Sequence, residues 1–148
     1  MPVAHINLLQ GHPRAVLRNV IAEVSEAMSD ILIAPKDRLE VWITEIDPEL
    51  WGIAGAPAAE VLKSTPRGQV EMPFVQMVLM EGRPKEQHHR IIAAITEILH
   101  RNLGTEKGRI RVHIAPAQPD SWGIGGTPAS IARAAELAAR AKAEATLG

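Results

Sequence analysis

Trp51-Gly52-Ile53-Ala54-Gly55-Ala56-Pro57-Ala58 returns later in the chain as Trp122-Gly123-Ile124-Gly125-Gly126-Thr127-Pro128-Ala129. The separation is 71 positions, and the same ungapped shift aligns Pro2 with Pro73, Leu8 with Leu79, Gly11 with Gly82 and Pro13 with Pro84. It also pairs Leu32 with Leu103, Val41 with Val112, Ile43 with Ile114 and Pro48 with Pro119. Self-similarity at a fixed period is the mark of a repeated structural unit. Chance seldom repeats Trp-Gly-Ile-x-Gly-x-Pro-Ala in a register that also aligns earlier prolines. The chain therefore divides into a first unit (residues 1–59), a linker (60–72) containing Ser64-Thr65-Pro66-Arg67-Gly68, a second unit (73–130) and a tail (131–148).

Within each unit the pattern of apolar residues changes period twice. Pro2 to Leu9 is short and compatible with a strand, and Pro73 to Met80 is a stronger apolar run. Gly-x-Pro follows, suiting a turn and then a proline in the first helical turn, where its missing N–H costs nothing. Leu17, Val20, Ile21, Val24, Met28 and Ile31 then recur at helical spacing, as do Ile91, Ile92, Ile95, Ile98 and Leu99, with Gly104 as a helix stop. Alternation resumes at Leu39, Val41 and Ile43, and at Ile110, Val112 and Ile114. Strand, helix, strand is a right-handed parallel crossover. Two of them predict an α/β (α+β) fold: a four-stranded sheet with two helices on one face and a pseudo-twofold axis. A sheet with parallel pairs seldom leaves its other face bare, so self-association is expected. The alanine-rich tail is helical by propensity and is expected on the surface or on a neighbouring chain.

Composition narrows the classes of function. The 148 residues are 46% hydrophobic with a formal net charge of −1, which argues against dependence on nucleic-acid phosphates. No apolar run reaches the ~18 residues needed to span a bilayer, and the N-terminus lacks a signal-peptide layout. A cytoplasmic protein is the expectation. With no cysteine there is no disulfide or thiol nucleophile. His88 and His89 are adjacent and point to different helix faces, while His5, His100 and His113 lack ligand spacing, so no metal site is expected.

The feature with chemical content is Met1-Pro2. Removal of the methionine makes Pro2 a secondary amine, and a terminal amine starts from a pKa of about 8, close to where a general base works best. Pro73 is locked in an amide and has no such lone pair. Pro2 before a strand, Gly11 before a helix, Ile43-Thr44-Glu45 and Trp51-Gly52-Ile53-x-Gly55, repeated as Pro73, Glu81-Gly82-Arg83 and Trp122-Gly123-Ile124-Gly125-Gly126, resemble the 4-oxalocrotonate tautomerase family. The resemblance spans nearly everything but the linker and tail. It implies a fused tandem member, an N-terminal proline as catalytic base, no cofactor and a homotrimer of fused chains.

The family's carboxylate-binding arginine after the first strand falls on Arg83 in the second unit but on His12 in the first. Its second-strand arginine falls on Arg111 and on Glu40, and its aromatic wall residue on Trp51 and Trp122. The resemblance thus implies that one unit supplies the amine and the other the guanidinium groups, with a small 2-oxo or 2-hydroxydienoate acid as substrate. Two alternatives accompany this reading. One is hydration or hydrolytic dehalogenation within the superfamily, which needs an acidic group to orient water. The other is a non-catalytic trimer that binds small anions.

Overall fold

The computed structural model describes residues 2–147. Strand β1 (Val3–Leu9), helix α1 (Arg14–Leu32) and strand β2 (Glu40–Ile46) form the first crossover. A small hairpin, β3 (Gly52–Ile53) and β4 (Ala56–Pro57), follows, then a single helical turn α2 (Ala58–Val61). The second unit repeats the series as β5 (Phe74–Met80), α3 (Lys85–Leu103), β6 (Arg111–Ala117), β7 (Gly123–Ile124), β8 (Thr127–Pro128) and α4 (Ala129–Ala132). Every one of these boundaries is its counterpart displaced by the sequence shift of 71. Helix α5 (Ala134–Leu147) has no counterpart in the first unit.

The sheet order is β2-β1-β5-β6. β1 runs parallel to β2 and β5 parallel to β6, whereas the two units meet through the antiparallel pair β1–β5, in register Val3↔Val78 through Asn7↔Phe74. This antiparallel seam is the pseudo-twofold axis. It sets the head of each central strand beside the tail of the other, so Pro2 lies near Met80 and Pro73 near Leu9.

Alternation decides which face is buried. Ala4, Ile6 and Leu8 of β1 and Val75, Met77 and Leu79 of β5 point to the helices, where Leu17, Val20, Val24 and Met28 of α1 and Ile91, Ile95, Ile98 and Leu99 of α3 complete one core. Each fully buried aliphatic side chain there stabilises the fold by ~1.5–3 kcal/mol. The opposite face carries His5, Asn7, Trp42, Thr44, Gln76 and His113 and is open in the single chain. His5 stacks on Trp42 with ring centroids 5.0 Å apart, and its Nε2 lies 2.7 Å from Thr44 Oγ1.

Helix ends follow the sequence signals closely. Pro13 and Pro84 are the residues just before the first helical turn, at φ −60° in both units, one position earlier than the sequence suggested. α3 stops at Gly104 in the left-handed region at φ 72°, its N–H bonded to the His100 carbonyl. α1 stops at the equivalent position with Ile33 at φ 52°. A β-branched residue there is strained by ~1–2 kcal/mol, and Ile33 is also 82% exposed.

Candidate active site

Pro2 is buried at the head of β1, its carbonyl accepting the Glu40 N–H at 3.3 Å. The antiparallel seam brings the end of β5 alongside, and the turn after it carries Arg83 into the same pocket. Ile33, Ala34 and Pro35, which join α1 to β2, form one wall, with Arg38 and Met80 beside them. Arg133, Glu136, Leu137 and Arg140 of the tail close the other side. The pocket holds about 490 Å³ of space including its open mouth.

Its electrostatics are strongly positive. Four arginines (Arg38, Arg83, Arg133 and Arg140) face one carboxylate, Glu136. Arg38 Nη1 grips both oxygens of Glu136 at 2.7 and 3.0 Å, which holds that carboxyl below its ordinary range. Arg83 Nη1 donates to the Leu32 carbonyl at 2.7 Å and reaches Gln87 Oε1 at 3.3 Å. Burial, and then the neighbouring Arg140 guanidinium, push Arg83 down to about 10. It stays charged at neutral pH.

The equivalent place around Pro73 is built from the same positions and filled differently. Pro73 is buried and its carbonyl accepts the Arg111 N–H at 2.9 Å, the counterpart of the Glu40–Pro2 bond. Here the linker folds back. Glu71, with no exposed surface, accepts the Leu9 N–H at 2.7 Å and lies 2.7 Å from His12 Nε2. That short contact makes Nε2–H the donor, so the 3.3 Å approach of Arg67 Nε to the same nitrogen is packing rather than a second bond. Arg67 Nη2 donates to the Leu9 and Gln10 carbonyls at 2.6 Å each. Its guanidinium lies so close to Gly11 that a Cβ there would sit 2.7 Å from Nη1, whereas Gly82 at the equivalent place in the second unit faces open space. Arg109 Nη2 ties the strap down through the Val70 carbonyl at 2.8 Å.

The sequence-derived residues therefore separate into two groups by position. Pro2 and Arg83 share one pocket. His12 lies at the opposite end of the sheet, on the Pro73 side. Trp51 packs there too, against Leu9, Ile53, Ala58 and Val70. Trp122 begins the hairpin that follows β6, at the Pro2 end, but neither tryptophan lines the Pro2 pocket. Arg111 heads β6 beside Phe74, on an edge strand. From Pro2 that is roughly 17 Å along the strands and two strand spacings across them. It bonds its own loop, at the Gly108 carbonyl, at 2.5 Å. Arg38, Arg133, Glu136 and Arg140 were not singled out from sequence. The tail's Arg133, Glu136, Leu137 and Arg140 do fall at i, i+3, i+4 and i+7, the spacing of one helix face.

Among the described residues no cluster of three or more His, Asp or Glu side chains is placed to hold a metal ion, and no helix is long and apolar enough to cross a membrane.

Comparison with known proteins follows the same division of the chain. The family model described as "Tautomerase enzyme" matches twice, over residues 2–60 and 73–131. The 2-hydroxymuconate tautomerase of Pseudomonas putida is 41% identical over 61 residues, which is 41% of this chain and 97% of that protein, so the relative is one unit long. A native fused 4-OT crystal structure superposes with a TM-score of 0.76 at 29% identity, over 86% of this chain and 95% of that one. A fused 4-OT solved as an asymmetric trimer gives 0.75 at 25% identity, over 90% and 98%.

Proposed function

Because this chain belongs to the tautomerase enzyme family, we propose that it is an isomerase in which the amine of Pro2, freed by removal of Met1, is the general base for a small 2-oxo or 2-hydroxydienoate acid. The observation that carries this reading is the meeting of Pro2 from one unit and Arg83 from the other in a single cationic pocket. Pro2 takes the proton of the 2-hydroxyl, the electron pair moves in to form the carbonyl, and the proton returns at a conjugated carbon. No atom is gained or lost, and no redox partner is needed. Arg83 holds the carboxylate through a charge-assisted bond and stabilises the negative charge that builds on the dienolate. Cations around Pro2 favour its neutral, basic form.

The reading extends to assembly. The open sheet face, with Trp42 43% exposed, and the trimeric state of a fused 4-OT support a homotrimer of about 48 kDa, three copies of the 16.0 kDa chain. Arg111, remote from its own Pro2 and on an edge strand, then serves the Pro2 pocket of another copy. Trp122, at the Pro2 end, is the candidate wall, while Trp51 and His12 belong to the closed pocket.

A second reading, hydration of the same acids, is favoured by one observation: a carboxylate, Glu136, lines the pocket. An ionised, half-exposed carboxylate already gripped by Arg38 is a weak base for activating water, which places hydration second.

Intact-mass analysis before and after treatment with a 2-oxo-3-alkynoate tests the base. The expected result is loss of Met1 and one adduct per chain that Pro2→Ala does not acquire. A retained Met1, or an adduct independent of Pro2, overturns it. Products from a 2-hydroxydienoate separate ketonisation from hydration, and native mass reads the trimer.

A further inference from the structure

The tail contributes to the pocket from outside the region matched by the family, which ends at residue 131. Arg133, Glu136, Leu137 and Arg140 form one face of the tail, and that face is laid against Pro2, Arg38 and Arg83. The Arg38–Glu136 ion pair fastens it there. What the fastening achieves is unfavourable taken alone. Arg140 is brought close enough to Arg83 to depress its pKa, and two like charges in partial burial repel. Arg83 Nε and Arg140 Nη1 are both buried atoms, and neither has a hydrogen-bond partner among the described residues. Leaving a buried charged donor without a partner costs more than the average hydrogen bond gains. Glu136 lies near enough for Arg140 to help lower its pKa, but its hydrogen bonds go to Arg38 and reach neither of the two unpartnered donors. Glu144 lines the groove on the outer side of the two arginines and bonds neither of them.

The other end of the molecule carries the missing piece. Position 12 is the counterpart of position 83, and against His12 lies a carboxylate, that of Glu71, delivered by the strap that follows the first unit. The strap that follows the second unit, α5, lies over the equivalent pocket and delivers a guanidinium in place of the carboxylate. One strap sets a carboxylate against position 12, and the other sets a second guanidinium beside position 83.

We propose that Arg140 is a substrate-binding residue: with Arg83 it forms a two-guanidinium clamp for the carboxylate of a small organic acid, and α5 exists to carry it there. The proposal rests on the functional reading only for which acid is turned over; the clamp itself is a binding site for a carboxylate. Two guanidinium groups offer a carboxylate more than one fork of parallel donors, a geometry that lysine cannot reproduce.

Calorimetric titration of the full-length protein with an unreactive six-carbon unsaturated dicarboxylate tests the clamp without turnover. Arg140→Gln keeps a good helix former at that position and should weaken binding about 10- to 100-fold, the range of a lost charge-assisted bond. Arg140→Lys should recover only part of that loss, and Lys142→Ala, on exposed surface of the same helix, should change nothing. With a 2-hydroxydienoate substrate, Arg140→Gln should raise KM by a similar factor while kcat stays within about threefold. A purely structural role for Arg140 predicts a lower Tm with no split between KM and kcat and no difference between Gln and Lys, and that pattern overturns the proposal. So does unchanged affinity in Arg140→Gln, or a wild-type protein that binds no dicarboxylate. Arg140-dependent binding without turnover leaves the clamp standing and removes the tautomerase reading instead.

Discussion

The Pro2 and Pro73 pockets occupy equivalent places in two copies of one unit, yet one is open and cationic and the other is sewn shut. Around Pro73 a buried carboxylate, a histidine and backbone groups satisfy one another, and no room remains at Gly11. Around Pro2 the arginines line an open pocket, and one buried donor each of Arg83 and Arg140 lacks a partner among the described residues. On the proposed mechanism only the first copy has chemistry to perform, since the acylated proline of the second has no lone pair to offer. That end became free to gain stability from a buried polar network. The first copy carries an electrostatically costly arrangement, which the proposed carboxylate ligand would relieve.

The largest expected difference between the pockets is in turnover. Pro2→Ala should lower kcat/KM for a 2-hydroxydienoate by ~10²–10⁴, the usual contribution of a positioned base, while Pro73→Ala stays within about threefold. Equal losses at both prolines would erase the division of labour.

Stability should show the reverse asymmetry. Glu71→Ala leaves Leu9 N–H and His12 without their acceptor and should lower the urea-derived unfolding free energy by ~3 kcal/mol. Glu136→Ala, which breaks a half-exposed pair at the open pocket, should cost under ~1 kcal/mol.

A third comparison uses pH. Arg83 is charged below its pKa of about 10 and loses its charge above it. Dicarboxylate affinity should therefore be level from pH 8 to 9 and fall ~10-fold one unit above that pKa, read by titration calorimetry. The sign for stability is opposite. The folded pKa lies below that of an arginine in the unfolded chain, so the charged guanidinium disfavours the folded state, and this penalty fades as pH rises above about 10.

The smallest effect lies at the helix ends. Ile33→Gly should stabilise the protein by ~1 kcal/mol by relieving the left-handed strain, and Gly104→Ala should destabilise it by a similar amount. Urea denaturation of both variants checks the pair. Because Ile33 lines the mouth of the open pocket, its replacement should also raise KM by ~2–5-fold if the apolar lip contacts substrate.

Both crossovers were legible because burial on one sheet face and one helix face writes periods of two and 3.6 directly into residues such as Val41, Ile43, Val20 and Val24. The antiparallel seam that places Arg83 by Pro2 was not, since strand order is a long-range choice to which no residue of β1 or β5 testifies alone. Glu71 was invisible for a different reason. A glutamate in a linker that contains Ser64-Thr65-Pro66-Arg67-Gly68 reads as solvated, and only the converging partners Leu9, His12 and Arg67 explain its burial. The tail showed its helical stripe but not its destination, because an alanine-rich helix with few large apolar residues carries little information about what it packs on.

The position of Pro2 also sets a timetable for its release. Its strand has no neighbour of its own until β2 is made, and β5, which covers the other edge, begins about 65 residues after β1 ends. At ~5–20 residues per second that edge stays uncovered for roughly 3–13 s of synthesis. An aminopeptidase working on the growing chain meets an extended N-terminus during that interval. One working on the finished protein meets a proline already buried at the head of a central strand. On the mechanism proposed above, release of the Pro2 amine is therefore best timed before the β1–β5 seam closes.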